Sequence, residues 1–98
     1  MPGFRLSAKA LEDLRSIGRY TQEKWGIEQR NKYLSLLDAG FHSIANHPQI
    51  GQDCSYIRSG YRKYHVRRHL IFYRQGVSKI EIIRILHDRM DVSRHLAQ

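Results

Sequence analysis

The chain has 98 residues, is 41% hydrophobic, and carries a formal net charge of +8 with a pI near 10.1. That length fits one domain with a thin core, a lone cysteine excludes a disulfide scaffold, and no apolar run approaches the ~20 residues of a membrane span. The basic excess points to nucleic acid, or to a protein partner that is acidic or itself holds DNA, with plain solubility as the alternative.

Met1-Pro2-Gly3-Phe4 runs directly into a polar segment with no signal-peptide pattern, so a soluble cytoplasmic protein is expected. Phe4-Arg5-Leu6 alternates and reads as a terminal strand that joins a later sheet. Ser7 then suits an N-cap, its hydroxyl placed to accept from an orphan backbone N–H. From Ala8 to Trp25 the positions Leu11, Leu14, Ile17, Thr21 and Trp25 recur at helical spacing. Gly26 suits the residue just past a helix end. A second helix runs from Ile27 to about Asn46 with Tyr33, Leu37, Phe41 and Ile44 as its stripe. Gly40 inside it suggests a close approach of the first helix, and Pro48 stops it. Joined through one glycine, the two helices must fold back as a hairpin, and their apolar stripe needs the sheet as its cover. The turn-rich stretch Gln49 to Gly60 reads as a surface loop.

Three strands are predicted next, Tyr61–Tyr64, His69–Arg74 and Lys79–Leu86, the last two dense in β-branched and aromatic residues. Gln75-Gly76-Val77-Ser78 supplies a turn in which Gly76 is free to take positive φ. Asp91 or Ser93 suits the cap of a last helical turn through Leu96. The expected fold is α+β over residues 1–98: an N-terminal strand, an antiparallel two-helix hairpin packed on a mainly antiparallel sheet, and a short C-terminal helix.

Cations thread the sheet. No acid stands between Asp53 and Glu81, where Arg58, Arg62, Lys63, Arg67, Arg68, Arg74 and Lys79 all fall. Arg84 is set among isoleucines, and strict alternation places it on one face with Ile82 and Leu86, with Ile83 and Ile85 on the other. Either it pairs with an acid such as Asp88 or Glu81, or it belongs to a binding surface. His87 at the strand end is an acid–base candidate or a backbone-bonded histidine. His42 and His47 sit five residues apart with no thiol or acid beside them, so no metal is expected. No glycine-rich phosphate cradle occurs, and no cofactor is expected. Tyr20, Trp25, Tyr33 and Phe41 are either all core or the lining of a partly open apolar groove that a partner segment fills.

The order of elements and several short stretches together resemble the ParE branch of the RelE/ParE toxin family. They are Leu6-Ser7-Ala8, Tyr20-Thr21 through Trp25-Gly26, Asn46-His47-Pro48 through Gly51, and Ile57-Arg58 with Gly60. They continue with Arg68-His69-Leu70-Ile71-Phe72-Tyr73-Arg74, Ile85-Leu86-His87 and Arg89-Met90-Asp91. The resemblance implies the toxin half of a toxin–antitoxin pair, held in a hetero-oligomer by a ParD-like antitoxin and poisoning DNA gyrase by binding when free. Direct contact with nucleic acid is compatible with this but not required. On that reading Arg58, Arg67, Arg68, His69, Arg74, Arg84, His87 and Arg89 meet the target, and Tyr20, Trp25, Tyr33 and Phe41 meet the antitoxin. The alternative within the family is a metal-independent ribonuclease. Arg84 resembles the phosphate-binding arginine of the ribonuclease relatives. His69 takes the place of another arginine, and only His87 stands in for their C-terminal acid. That set is incomplete, which implies binding rather than turnover.

Overall fold

The computed structural model describes residues 3–90 and 92–96. Its elements run β1 (Phe4–Leu6), α1 (Ala8–Trp25), α2 (Ile27–Asn46), β2 (Gln52–Asp53), β3 (Arg62–Val66), β4 (His69–Gln75), β5 (Ile80–His87) and α3 (Val92–Leu96). Ser7 holds extended geometry (φ −65°, ψ 165°), and its hydroxyl accepts from Ala10 N–H at 3.0 Å, the N-cap bond its position predicts. The same hydroxyl donates to Ile83 O at 2.7 Å, which fastens the start of α1 to β5. Gly26 is the whole link between the helices and takes φ 91°, a value that favours glycine. Arg30 Nη1 donates to Gln22 Oε1 at 2.6 Å, and Gly18 faces Leu34, so α1 and α2 run antiparallel about that link.

Gly40 does not serve the approach of the first helix. A Cβ there would sit 3.0 Å from Val66 and 3.1 Å from Ile71, so the missing side chain lets α2 lie close on the sheet instead.

The sheet has five strands in the order β1-β5-β4-β3-β2. β1 lies parallel to β5, with Phe4 opposite Ile80, and the other neighbours are antiparallel. A parallel pair needs a long crossover, and the helical hairpin lies within it. On the helix side, Leu37, Phe41 and Ile44 of α2 and Ala10 of α1 pack on Ile71, Tyr73, Ile80, Ile82 and Ile85. Burying each of the larger of these side chains contributes roughly 1.5–3 kcal/mol. The other face carries Phe72 and Leu86, covered by Cys54, Tyr61 and Leu96. The short α3 therefore belongs to the second face. Asp91, one of its two candidate caps, lies outside the described residues; Ser93 lies within the helix rather than ahead of it.

Three local expectations are corrected. The stretch 49–60 is not simply surface, because Cys54 is fully buried and Gly51 is pinned. The Tyr73 hydroxyl accepts from Gly51 N–H at 2.9 Å and donates to Pro48 O at 2.7 Å, while Arg62 donates to Gly51 O at 2.7 Å. Gly76 keeps negative or extended φ. A Cβ there would collide with Lys79 O, so the turn needs glycine for space rather than for handedness. Strict alternation also fails along β5. Phe72 pairs with Arg84 but Tyr73 pairs with Ile82, which leaves Ile83 as an unpaired bulge residue. Ile82 and Ile85 consequently join the helix-side core, while Ile83 and Leu86 join the opposite one.

No helix of the described residues is long and apolar enough to cross a membrane.

Candidate functional site

The basic residues do not share one surface. Arg84 is committed to Asp13 of α1 by two hydrogen bonds, Nε to Oδ2 at 2.8 Å and Nη2 to Oδ1 at 3.0 Å. Asp13 Oδ2 also accepts Ile85 N–H at 3.0 Å, capping the part of β5 that extends past β1. The Asp13 carboxylate holds the Arg84 pKa above the ordinary guanidinium value. Neither expected partner meets Arg84: Glu81 is bonded elsewhere, and Asp88 lies beside two histidines with its Oδ1 buried and without a hydrogen-bond partner among the described residues. Glu81 takes Arg74 at 2.7 Å and Arg5 at 3.0 Å, and Asp88 lies 3.4 Å from His65 and 3.3 Å from His87. Arg74 stands near the far end of β4 from His69. Arg58 is exposed on the 54–61 stretch, and Arg67 is exposed at the β3–β4 turn with φ 55°.

The remaining predicted residues converge. Tyr20, Trp25, Tyr33, Arg68, His69, His87 and Arg89 all line one open groove of about 780 Å³ between the helical hairpin and the end of the sheet. Residues expected to face an antitoxin and residues expected to face a target thus share the lining of a single cleft. Phe41 is the exception among the aromatics. It is 2% exposed and packs against Phe4 with ring centroids 5.4 Å apart, so it is core and unavailable to a partner. Trp25 shows the reverse. Assigned to the apolar stripe of α1, it is 64% exposed at the last residue of the helix, while Thr21 one turn earlier is buried.

The groove floor is a hydrogen-bonded set of rings. The Tyr33 hydroxyl and His69 Nδ1 are 2.6 Å apart, and Arg68 N–H donates to the same hydroxyl at 3.3 Å. The phenol proton is then free for Nδ1. His69 meets His87 edge to face at 5.4 Å, and His87 Nδ1 accepts from Arg89 N–H at 3.2 Å. Burial, and then the neighbouring His87, brings the His69 pKa down to about 4. Burial pushes the Tyr33 phenol upward. An imidazole this weakly basic beside a phenol this reluctant to ionise makes a poor acid–base pair near neutral pH. The arrangement suits rigid positioning of the groove wall.

Sequence reasoning missed Asp13 and the groove residues Ser16, Ile17, Thr21, Gln29 and Met90 as parts of this site. For the helical ones a signal exists: Ser16–Tyr20 and Ile17–Thr21–Trp25 are i, i+4 rows of α1, and Gln29–Tyr33 is the matching row of α2. No local signal marks Asp13.

A family model described as "ParE toxin of type II toxin-antitoxin system, parDE" matches residues 4–92. Toxin ParE1 of Caulobacter vibrioides is 43% identical over 96 residues, which cover 98% of this chain and 99% of that protein. Toxin ParE1 of Mycobacterium tuberculosis is 40% identical over 94 residues, covering 95% and 96%. A solved structure described as the chromosomal ParDE TA system from P. aeruginosa superposes with a TM-score of 0.76 at 19% identity, covering 89% of this chain and 96% of that one, a likeness of fold. With the strand, helical hairpin and mixed sheet all in place, the chain belongs to the ParE toxin family of type II toxin–antitoxin systems.

Proposed function

We propose that this protein inhibits DNA gyrase by binding it, acts in the cytoplasm, and is neutralised by a ParD-like antitoxin that covers the groove. The observation that carries the reading is the convergence of Tyr20, Trp25 and Tyr33 with Arg68, His69, His87 and Arg89 on one cleft. An antitoxin segment laid on the aromatic residues blocks the basic ones, so neutralisation is competition for a single surface. An apolar groove beside a basic rim suits an extended or helical segment that folds as it binds. The low basicity of His69 favours binding over turnover, and so does the engagement of Arg84 with Asp13.

The test is a gyrase supercoiling assay with the protein titrated in. Inhibition with gyrase-dependent cleaved DNA is expected, reversed by stoichiometric antitoxin. RNA cleavage in the absence of gyrase would instead establish the ribonuclease alternative.

A further inference from the structure

The groove pairs stacking surfaces with unneutralised charge. Trp25 and Tyr20 stand on the helical rim, 64% and 56% exposed, and meet edge to face at 6.2 Å, so most of the indole stays open. In the same cleft Arg68 and Arg89 are exposed, and neither forms an ion pair among the described residues. No carboxylate lines the groove among the described residues. Asp88, adjacent to Arg89 in sequence, is turned to His65 and His87 instead.

A concave surface lined by both planar rings and guanidinium groups matches a particular polyanion. A single strand of nucleic acid brings a π-face and a phosphate with every nucleotide. A duplex keeps its bases stacked inside and offers the cleft only phosphates. An acidic peptide satisfies the cations but brings no regular succession of planar groups to the indole. The charge of the chain as a whole, +8, and the acid-free run from Cys54 to Ile80 extend the attraction beyond the cleft.

We propose that the groove binds a single strand of nucleic acid, with a base stacked on Trp25, which Tyr20 supports edge to face, and backbone phosphates on Arg68 and Arg89. The gyrase reading supplies only the biological setting, in which the strand belongs to the DNA that the target holds. Strand binding stands or falls by itself.

Trp25 is the sole tryptophan, so its fluorescence reports on the groove of the intact protein. Short oligothymidylate is expected to quench it at low salt, with log affinity falling against log salt at a slope near −1.4 for two phosphate contacts. Arg68→Gln and Arg89→Gln should each weaken binding and flatten that slope by about 0.7. Trp25→Leu should weaken binding roughly 5- to 100-fold by anisotropy of a labelled strand. Arg15→Gln removes the same charge from a separate hollow between α1 and α2, outside the groove lining, and should change little. All four side chains are exposed, and circular dichroism checks that the variants fold. Oligouridylate of equal length separates the sources: tighter DNA binding assigns the site to a DNA strand, tighter RNA binding to a transcript. Absence of quenching at low salt overturns the proposal. So does a duplex or a polyglutamate peptide that binds as tightly as the single strand, or a loss with Arg15→Gln equal to that with Arg68→Gln. Gyrase inhibition retained without strand binding would sink this inference alone, and strand binding retained without gyrase inhibition would sink the functional reading alone.

Discussion

Two sets of arginines divide the molecule. On β5, Arg84 is 16% exposed at its side chain, is bonded twice by Asp13, and helps close the sheet edge through the same carboxylate. At the groove, Arg68 and Arg89 are exposed and face tyrosine, tryptophan and histidine rather than acid. The difference comes from what the fold carries to each one. Asp13 lies 71 residues before Arg84 in the chain, yet the N-terminal half of α1 sets it against β5. The groove receives the other half of α1, whose facing side is Ser16, Ile17, Tyr20, Thr21 and Trp25. One helix therefore neutralises one arginine and leaves two others available.

The division is broken most severely from the acid side. Asp13→Ala strands a largely buried guanidinium and the Ile85 N–H together, and should cost about 3–5 kcal/mol in a chemical-denaturation curve. A loss under ~1 kcal/mol would mean that Arg84 finds water or another partner. Arg84→Met should cost less, about 1–3 kcal/mol, because Asp13 keeps its bond from Ile85 N–H and the methionine keeps the stem packing. Gyrase inhibition by the Arg84→Met protein should fall only as far as its folded fraction does. Inhibition lost from a fully folded sample would return Arg84 to the working surface.

On the other side of the division, Trp25→Ala should leave stability within about 0.5 kcal/mol while weakening antitoxin binding at least tenfold, about 1.4 kcal/mol. Calorimetric titration of the antitoxin into both proteins reads this directly. An unchanged affinity would place the antitoxin elsewhere. The last expected effect is that of pH. The folded pKa of His69 lies below its unfolded value, so the unfolded chain binds more protons between pH 6.5 and about 4. Stability from this group is complete above that window and falls on acidification through it, by at most about 1.4 kcal/mol per pH unit. Of its titratable neighbours, His87 lowers the His69 pKa and Asp88 and Asp13 raise it. An NMR titration in which the His69 ring protonates near pH 6.5 would contradict the buried, Tyr33-bonded geometry.

The elements were legible in the sequence because each carries a local instruction. Ser7 caps α1, Gly26 separates the helices, and both helices keep the bounds that their periodicity predicts. Strands β3, β4 and β5 lie where three strands are predicted, with shifts of a residue or two at their ends, whereas β2 falls in the stretch read as a loop. What stayed hidden depends on distant contacts. The bulge at Ile83 defeats period-2 reasoning and sends Ile82 and Leu86 to opposite faces. Phe41 and Trp25 look alike as members of helical stripes, yet Phe41 packs in the core with the sheet residues while Trp25, the last residue of α1, is exposed. Cations scattered through residues 58–89 read as one basic platform, whereas Glu81 and Asp13 neutralise Arg74 and Arg84 and the groove collects Arg68 and Arg89.

On the proposed function, the working cations are those of the groove and not those fixed by acids. The most direct measurement is gyrase supercoiling titrated with the wild-type protein, with Arg68→Gln/Arg89→Gln and with Arg74→Gln, all matched for stability by denaturation. The double variant is expected to need at least ten times more protein for half-inhibition, about 1.4 kcal/mol, while Arg74→Gln inhibits like wild type. Full inhibition by the double variant, or an equal loss with Arg74→Gln, would contradict the proposed function.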